Sequence, residues 1–131
     1  MDSMRFKELC IKIFIFLGCL NGAFSVLGGA FGAHLLKSTL KPTSLVTFET
    51  SVRYHLIHSL ALVVLALITR FSTSNTLVWS GILFLIGILF FCGSLYLISL
   101  FQFKGIGILT PLGGVALIAA WLLLGISVFT K

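Results

Sequence analysis

Four long apolar stretches separated by short polar breaks dominate the pattern of this 131-residue chain. A helix needs about 20 apolar residues to cross the hydrocarbon layer of a bilayer, and each stretch is about that long. The pattern therefore predicts an all-α, integral membrane four-helix bundle with short loops and both termini on the same side. The predicted spans are residues 12–36, 48–70, 77–100 and 111–129, within one domain over residues 1–131.

The start of the last span carries the sharpest local signal. Thr110 is followed by Pro111, and a threonine cap before a proline at the first helical position costs no internal hydrogen bond. A helix from Pro111 to Phe129 would be about 28 Å long, which matches the thickness of the hydrocarbon layer. We therefore expect the fourth helix to begin with this cap.

Small residues recur on one face of the first predicted helix and of the third. At about 100° per residue, the first set falls within an arc of about 100°, and the second set repeats every seven residues. Small side chains let helix backbones approach closely, so both sets predict packing seams. The predicted packing residues are Gly18, Gly22, Ser25, Gly29, Gly32 and Ala33 in the first helix, Ser80, Gly87 and Ser94 in the third, and Gly113 and Gly114 in the fourth.

The first seam also bears on two other features of that stretch. A cleaved signal peptide is the alternative interpretation of the first span, but such a peptide would not need a packing seam, which favours retention. Asn21 borders the seam near mid-membrane, where a polar side chain needs a partner. We expect Asn21 to hydrogen-bond to a neighbouring helix.

Composition excludes a water-soluble globule. Hydrophobic residues make up 59% of the chain, charged residues 9%, and the mean hydropathy is +1.20. The net charge of +6 comes mostly from basic residues that flank the apolar stretches, a distribution typical of membrane anchoring, and no nucleic-acid partner is predicted. Cys10, Cys19 and Cys92 are odd in number and lie at or within helices, which favours reduced thiols over disulfides or a metal quartet.

Basic residues are distributed unequally between the two sides of a four-span chain. Cytoplasmic loops carry an excess of lysine and arginine, so the richer side predicts the orientation. The termini are therefore expected on the cytoplasmic or matrix side. Arg5, Lys7, Lys12, Arg70 and Lys131 share the side of the termini, whereas Lys37, Lys41 and Lys104 lie opposite.

A cluster of polar side chains near the start of the second span provides the candidate site. Glu49 and Arg53 are four residues apart and could neutralise each other along one helix face. His58 would lie about 10 Å below the first-turn surface, with Tyr54 one turn above it. Polar groups at such depth need hydrogen-bond partners, a water-filled pocket or a functional role. The predicted polar network consists of His34, Glu49, Arg53, Tyr54, His55 and His58.

Several short motifs occur in an order that resembles the domain of unknown function 423 family. They are Gly29-Ala30-Phe31-Gly32-Ala33-His34, Phe48-Glu49-Thr50 leading to Tyr54 and His58, Cys92-Gly93-Ser94-Leu95-Tyr96, and Thr110-Pro111-Leu112-Gly113-Gly114 with Trp121. Ala120 and Cys92 stand where a glycine and a serine would be expected. The resemblance implies a four-helix fold without an assigned activity, in the bacterial inner (plasma) membrane, or in the mitochondrial inner membrane if the host is eukaryotic.

Three functions are compatible with these features. The favoured one is a non-catalytic structural, accessory or assembly module that contacts the lipid bilayer and forms a homo-oligomer or joins a larger membrane complex. A small-solute or ion transporter or channel is the first alternative, although a buried carboxylate is missing. Metal or haem binding by His34, His55 or His58 is the second. No catalytic residue and no cofactor is predicted.

Overall fold

Four long helices make up most of the chain, in a computed structural model that describes residues 2–72 and 74–130. They are α1 (Ser3–His34), α2 (Pro42–Phe71), α3 (Thr76–Phe101) and α4 (Leu109–Ile126). Short 3-10 helices, Leu36–Ser38 and Lys104–Ile106, lie in the first and third loops. The first three helices, and α4 together with its preceding 3-10 turn, are long and apolar enough to cross a bilayer. The predicted all-α four-helix membrane bundle is confirmed.

Both termini lie at the same end of the bundle, next to the loop between α2 and α3. The Lys7 ammonium donates to the Ser72 carbonyl, which ties the start of α1 to the end of α2. The hydroxyls of Ser74 and Thr130 are 2.8 Å apart, which ties the same loop to the C-terminal turn. At the opposite end the Gln102 amide donates to the Ser44 hydroxyl over 2.8 Å. Lys131, counted in the basic-residue bias, lies outside the described residues.

All four helices begin earlier than the apolar pattern predicts, and α1 and α2 do so by six residues or more. α1 begins at Ser3 and has 32 residues, so its length of about 48 Å exceeds the roughly 30 Å hydrocarbon layer. Its polar first turns stay helical with the help of an ion pair from Glu8 to Lys12 at 3.3 Å. α2 begins at Pro42, whose fixed φ suits the first helical position. The hydrophobic pattern located the apolar part of each helix and missed its polar ends.

The predicted threonine cap of α4 is wrong. The helix begins at Leu109, and no side chain caps it. The Thr110 hydroxyl instead lies 2.6 Å from the Ser94 hydroxyl of α3. A threonine hydroxyl near a helix start can hydrogen-bond to the backbone of its own helix or to a neighbouring helix, and Thr110 bonds to the neighbouring helix.

The small-residue face of α1 lies against α2, antiparallel to it. A β-carbon on Gly18 would come within 2.6 Å of Val63 Cγ2, and one on Gly32 within 3.0 Å of the Phe48 ring. Ser25 is fully buried in the same seam, with its hydroxyl on the Gly22 carbonyl of its own helix. The absence of side chains at Gly18 and Gly32 is therefore what lets α2 approach α1 this closely.

The rest of this face is less tightly packed. A β-carbon on Gly22 would be 4.0 Å from Ser59, and one on Gly29 would be 3.6 Å from Val52, which are ordinary contacts. Ala33 is exposed and lies outside the seam. Gly28, absent from the predicted set, is tighter than Gly29 because its β-carbon would lie 3.3 Å from Val52.

The heptad of small residues in α3 faces α4 along its whole length. The Ser80 hydroxyl donates to the Ala120 carbonyl over 2.7 Å, and Ser94 meets Thr110 as described above. Between them, a β-carbon on Gly87 would collide with the side chain of Leu117. These contacts hold α3 and α4 together by close backbone approach and by two interhelical hydrogen bonds.

A π-helical segment, Ile88–Cys92, interrupts α3 in the middle of the membrane. Such a segment shifts the hydrogen-bond register by one residue, and nothing in the sequence pattern predicts it. The Cys92 carbonyl accepts a hydrogen bond from the Ser51 hydroxyl of α2 over 2.8 Å. A β-carbon on Gly113 of α4 would collide with the backbone of this segment at Phe91. The π segment is therefore the place where α2, α3 and α4 converge.

The apolar core lies in the half of the bundle near the termini. Its fully buried members include Leu62 and Leu65 of α2 with Leu77 and Phe84 of α3. In this half, the ring of Phe14 of α1 packs against Gly81 of α3, where a β-carbon would collide with it. α1 packs chiefly on α2 and has few contacts with α3.

Candidate functional site

His55 of α2 lies at the centre of a hydrogen-bonded chain that joins three helices. Its Nε2 is 2.8 Å from Asn21 Oδ1 of α1, and its Nδ1 is 3.1 Å from the Tyr96 hydroxyl of α3. The Asn21 amide nitrogen donates to the Leu17 carbonyl over 2.8 Å, so Oδ1 faces His55 and accepts. His55 Nε2 therefore carries the hydrogen, and Nδ1 accepts from the Tyr96 hydroxyl. The hydrogen bond predicted for Asn21 to a neighbouring helix is confirmed.

His58 makes a second link, from α2 to α4. The indole N–H of Trp121 donates to His58 Nε2 over 3.2 Å, and Nδ1 lies 2.6 Å from the Tyr54 carbonyl. An acceptor at Nε2 leaves Nδ1 as the donor, which fixes the neutral tautomer. The Tyr54 ring stacks on the imidazole at 5.8 Å, one turn above it. His58 is 5% exposed.

Aromatic rings surround both histidines. Phe84 and Trp121 meet edge to face at 5.3 Å beside His58, and Tyr54 lies 4.8 Å from Phe91. Next to His55, the Tyr96 ring packs on Phe48 at 5.3 Å. These rings cover much of both imidazoles, and His55 and His58 are each less than a tenth exposed, which makes their hydrogen bonds costly to break.

Three of the six predicted network residues lie outside it. His34, Glu49 and Arg53 are exposed and make no hydrogen bond to the other members. The predicted ion pair between Glu49 and Arg53 does not form, and in the described residues the ion pair is that of Lys12 with Glu8. At about 100° per residue, Glu49 and Arg53 point at least about 120° away from His55 and His58 around the helix. These side chains were predicted to form one group because they are close in sequence, but the helix places them on different faces.

The network includes residues that sequence reasoning did not assign to it. Tyr96 and Trp121 are 41 and 63 residues from their histidine partners. Ser51 joins the same region through the Cys92 carbonyl. A polar aromatic residue inside an apolar span signals the need for a partner, but its spacing cannot say which helix supplies that partner.

A crevice of about 330 Å³ opens beside His55, between α1 and α3 at the end away from the termini. The His55 ring and Tyr96 form part of its wall, and the other side chains around it are apolar. They are Phe24, Phe31, Leu36, Phe48 and Leu100, with Gly28.

The sequence model of one family, described as "Protein of unknown function (DUF423)", matches residues 28–114. This chain belongs to the DUF423 family. A UPF0382 membrane protein of Staphylococcus haemolyticus is 42% identical over 91% of this chain and 97% of its own length. The UPF0382 membrane protein YwdK of Bacillus subtilis is 39% identical over 89% and 96%. No solved structure matches the chain.

These comparisons make the chain a small multi-pass membrane protein with bacterial relatives that are themselves named membrane proteins. The family description names no reaction. The geometry of the site is therefore the basis for any proposal about the chemistry of this DUF423 protein. The matched region includes His55, His58 and Tyr96 but ends before Trp121.

The histidines of this DUF423 chain are poorly arranged for metal or haem. Both ring nitrogens of His55 and of His58 are engaged by protein groups, so neither offers a lone pair to a metal. His34, the remaining histidine predicted as a candidate ligand, is exposed and outside the network. Across residues 2–72 and 74–130, no three His, Cys, Asp or Glu side chains are grouped closely enough to hold a metal ion.

Replacing His58 with leucine is expected to destabilise the protein by about 1–2 kcal/mol, because the Trp121 N–H loses its acceptor inside an apolar site. Unfolding in mixed micelles, followed by loss of helical circular dichroism, would measure this. Tyr54→Phe is the control, since the Tyr54 hydroxyl makes no hydrogen bond among the described side chains. Equal stability of the two variants would contradict a structural role for His58.

Proposed function

We propose that this protein is a non-catalytic membrane module that assembles with further copies of itself. One contrast carries the proposal: the polar side chains buried inside the bundle all find hydrogen-bond partners within the chain, whereas two opposite charges on the outer face of α2 are unpaired. The inner groups serve the fold of a single chain. The outer pair is available to a second chain.

The inner half of the contrast supports a structural role. No buried side-chain nitrogen or oxygen of the described residues lacks a hydrogen-bond partner. The bonds of His55 and His58 run to α1, α3 and α4, so they hold α2 in one register against all its neighbours. A satisfied network of this kind specifies a single arrangement of helices.

The outer half of the contrast concerns Glu49 and Arg53. Arg53 lies 17 residues before Arg70, or about 26 Å along the helix, which is slightly less than the hydrocarbon thickness. Arg53 therefore lies just inside the edge of the hydrocarbon layer, where a charge is stabilised by an oppositely charged partner. The exposed apolar residues Ile57 and Leu60 follow one and two turns below Arg53. This face of α2 has the composition of an intramembrane interface with a charged upper edge.

Glu49 and Arg53 are also complementary to a second copy of the same face. A two-fold axis brings one surface against itself, so residue i meets residue j and residue j meets residue i. Two copies with the same membrane orientation are related by an axis along the membrane normal. Each Glu49 would then reach diagonally to the partner's Arg53, which lies one helical turn away along the axis. Each carboxylate would then have a cation at the hydrocarbon edge.

A proton-coupled transporter is supported less well. The acidic residues Asp2, Glu8 and Glu49 are all exposed, so no carboxylate lies inside the described bundle to carry a proton. The glycines Gly18 and Gly32, which could have lined a path along α1, are instead covered by Val63 and Phe48.

The bacterial relatives and the charge distribution support a location in the bacterial plasma membrane. The named relatives favour the bacterial plasma membrane over the mitochondrial inner membrane. Of the basic residues counted for the orientation, four of those described, Arg5, Lys7, Lys12 and Arg70, lie at the end of the termini, whereas three, Lys37, Lys41 and Lys104, lie at the other. The basic residues at the first end support termini on the cytoplasmic side.

Charge reversal tests the assembly. We expect native mass spectrometry and light scattering in a mild detergent to show an oligomer for the natural chain. Glu49→Arg and Arg53→Glu should each weaken association at least about 10-fold, because like charges would then face each other across the two-fold axis. The combined Glu49→Arg/Arg53→Glu exchange should restore it.

Glu8→Lys provides the matched control, since it reverses a carboxylate whose ion pair lies within the chain, with Lys12. Its mass should equal that of the natural protein. A natural chain that is monomeric both in detergent and after crosslinking in native membranes would refute the homo-oligomer. Recovery of none of the association in the double exchange would refute the pairing.

A further inference from the structure

A second cavity, of about 530 Å³, lies between the first turns of α1 and the last turn of α2. It is at the end of the bundle that holds the termini, far from the histidine network. Its wall combines three cations with a set of apolar side chains. They are Lys7, Lys12 and Arg70, and Ile11, Ile15 and Phe71.

The charge of this cavity is positive on balance. Glu8 is the single acidic residue among those that line it, and it pairs with Lys12 at 3.3 Å. Both side chains of that pair are about two-thirds or more exposed, so their attraction is weak and easily exchanged. Lys7 donates to the Ser72 carbonyl, and Arg70 lies exposed at the same rim. An anion at the rim would meet Lys7 and Arg70 from two helices.

The polarity of the wall changes with depth. Lys7, Ile11 and Ile15 follow at intervals of four residues and therefore form one row on α1. The cation is at the outer end of this row, and the isoleucines continue toward the apolar part of the membrane. A ligand that follows the row would have an anionic group at the rim and a hydrocarbon chain below it.

From this arrangement we infer that the cavity binds an anionic phospholipid, with its phosphate between Lys7 and Arg70 and an acyl chain along Ile11 and Ile15. A basic pocket at the membrane surface attracts anionic headgroups, and the apolar row distinguishes a lipid from free phosphate. This lipid site is independent of the proposed self-assembly, because it involves neither Glu49 nor Arg53.

Lipid competition tests the site. The natural protein, purified in detergent, would be mixed with equal amounts of dioleoylphosphatidylglycerol and dioleoylphosphatidylcholine and examined by native mass spectrometry. We expect one retained phosphatidylglycerol for each chain, with a preference of at least tenfold. Lys7→Gln/Arg70→Gln should reduce this preference to near one. Lys37→Gln/Lys41→Gln, which removes two cations at the opposite end, should leave it unchanged.

Two further measurements cover a double variant that does not fold and a site that binds free phosphate instead of lipid. If the double variant does not fold, Arg70→Gln alone retains the contact of Lys7 with Ser72 and should still reduce the preference several-fold. Inorganic phosphate at millimolar concentration should not displace the retained lipid, whereas displacement would mean that the site recognises free phosphate. Equal retention of the two lipids by the natural chain, or an equal loss in the Lys37 and Lys41 control, would overturn the proposal.

Discussion

Alanine at Gly113 is expected to cause the largest loss of stability of any single methyl group added to this protein. The new β-carbon would collide with the backbone of Phe91 and lie 2.8 Å from the carbonyl carbon of Phe90. Backbone atoms cannot rotate away as a side chain can, so α4 has to move off the π segment. We expect a loss of about 3 kcal/mol or more, at the upper end of the range for overpacked cores.

The neighbouring residue supplies a matched control. A β-carbon on Gly114 would lie 3.6 Å from the Phe91 ring, an ordinary contact, and alanine favours the helix. Gly114→Ala should therefore be neutral or slightly stabilising. Unfolding free energies of both variants in bicelles would measure the difference. Equal stability of the two would show that α4 does not approach α3 as closely as described.

Replacing His55 with leucine should cost about 2–3 kcal/mol, because Asn21 and Tyr96 both lose a partner within the membrane. Leucine fills similar space, so the loss reports mainly the polar groups left unpaired. Thr50→Val is the control, since the Thr50 hydroxyl bonds only to the Val46 carbonyl of its own helix. That variant should stay within about 0.5 kcal/mol of the natural protein.

A double-mutant cycle identifies the bond itself. Asn21→Leu and His55→Leu each break the same 2.8 Å contact, so their combined cost should be smaller than the sum by about 1 kcal/mol. The same unfolding measurement in bicelles, applied to the two single variants and the double variant, gives this coupling. Additivity within about 0.3 kcal/mol would mean that Asn21 and His55 do not interact.

The candidate site shows where inference from a sequence succeeds and where it stops. That His55 and His58 need partners follows from their place inside an apolar span. The same argument predicts that Asn21 needs a partner, and its interhelical hydrogen bond is confirmed. Glu49 and Arg53 were assigned to the same network because they are close in sequence, but the helix carries them to its exposed face.

The packing seams illustrate the same limit. A heptad of small residues in α3 marks a helix-facing surface, and Ser80 and Ser94 do contact α4. The pattern cannot reveal that Gly113 meets a π segment, because that segment arises from the register in which α3 meets its neighbours. Nor can it separate Gly18, which is indispensable for close approach, from Gly22, which is not.

The number of helices, their membrane-spanning length and the shared side of the termini could be predicted from the amino-acid pattern, since these depend only on how many apolar residues occur in a row. Which polar groups meet depends on how the helices pack. Tyr96 and Trp121 reach the histidines of α2 because of helix rotation and crossing, which depend on close contacts between distant segments. Those contacts also set Glu49 and Arg53 on the outer surface, where a second chain can reach them.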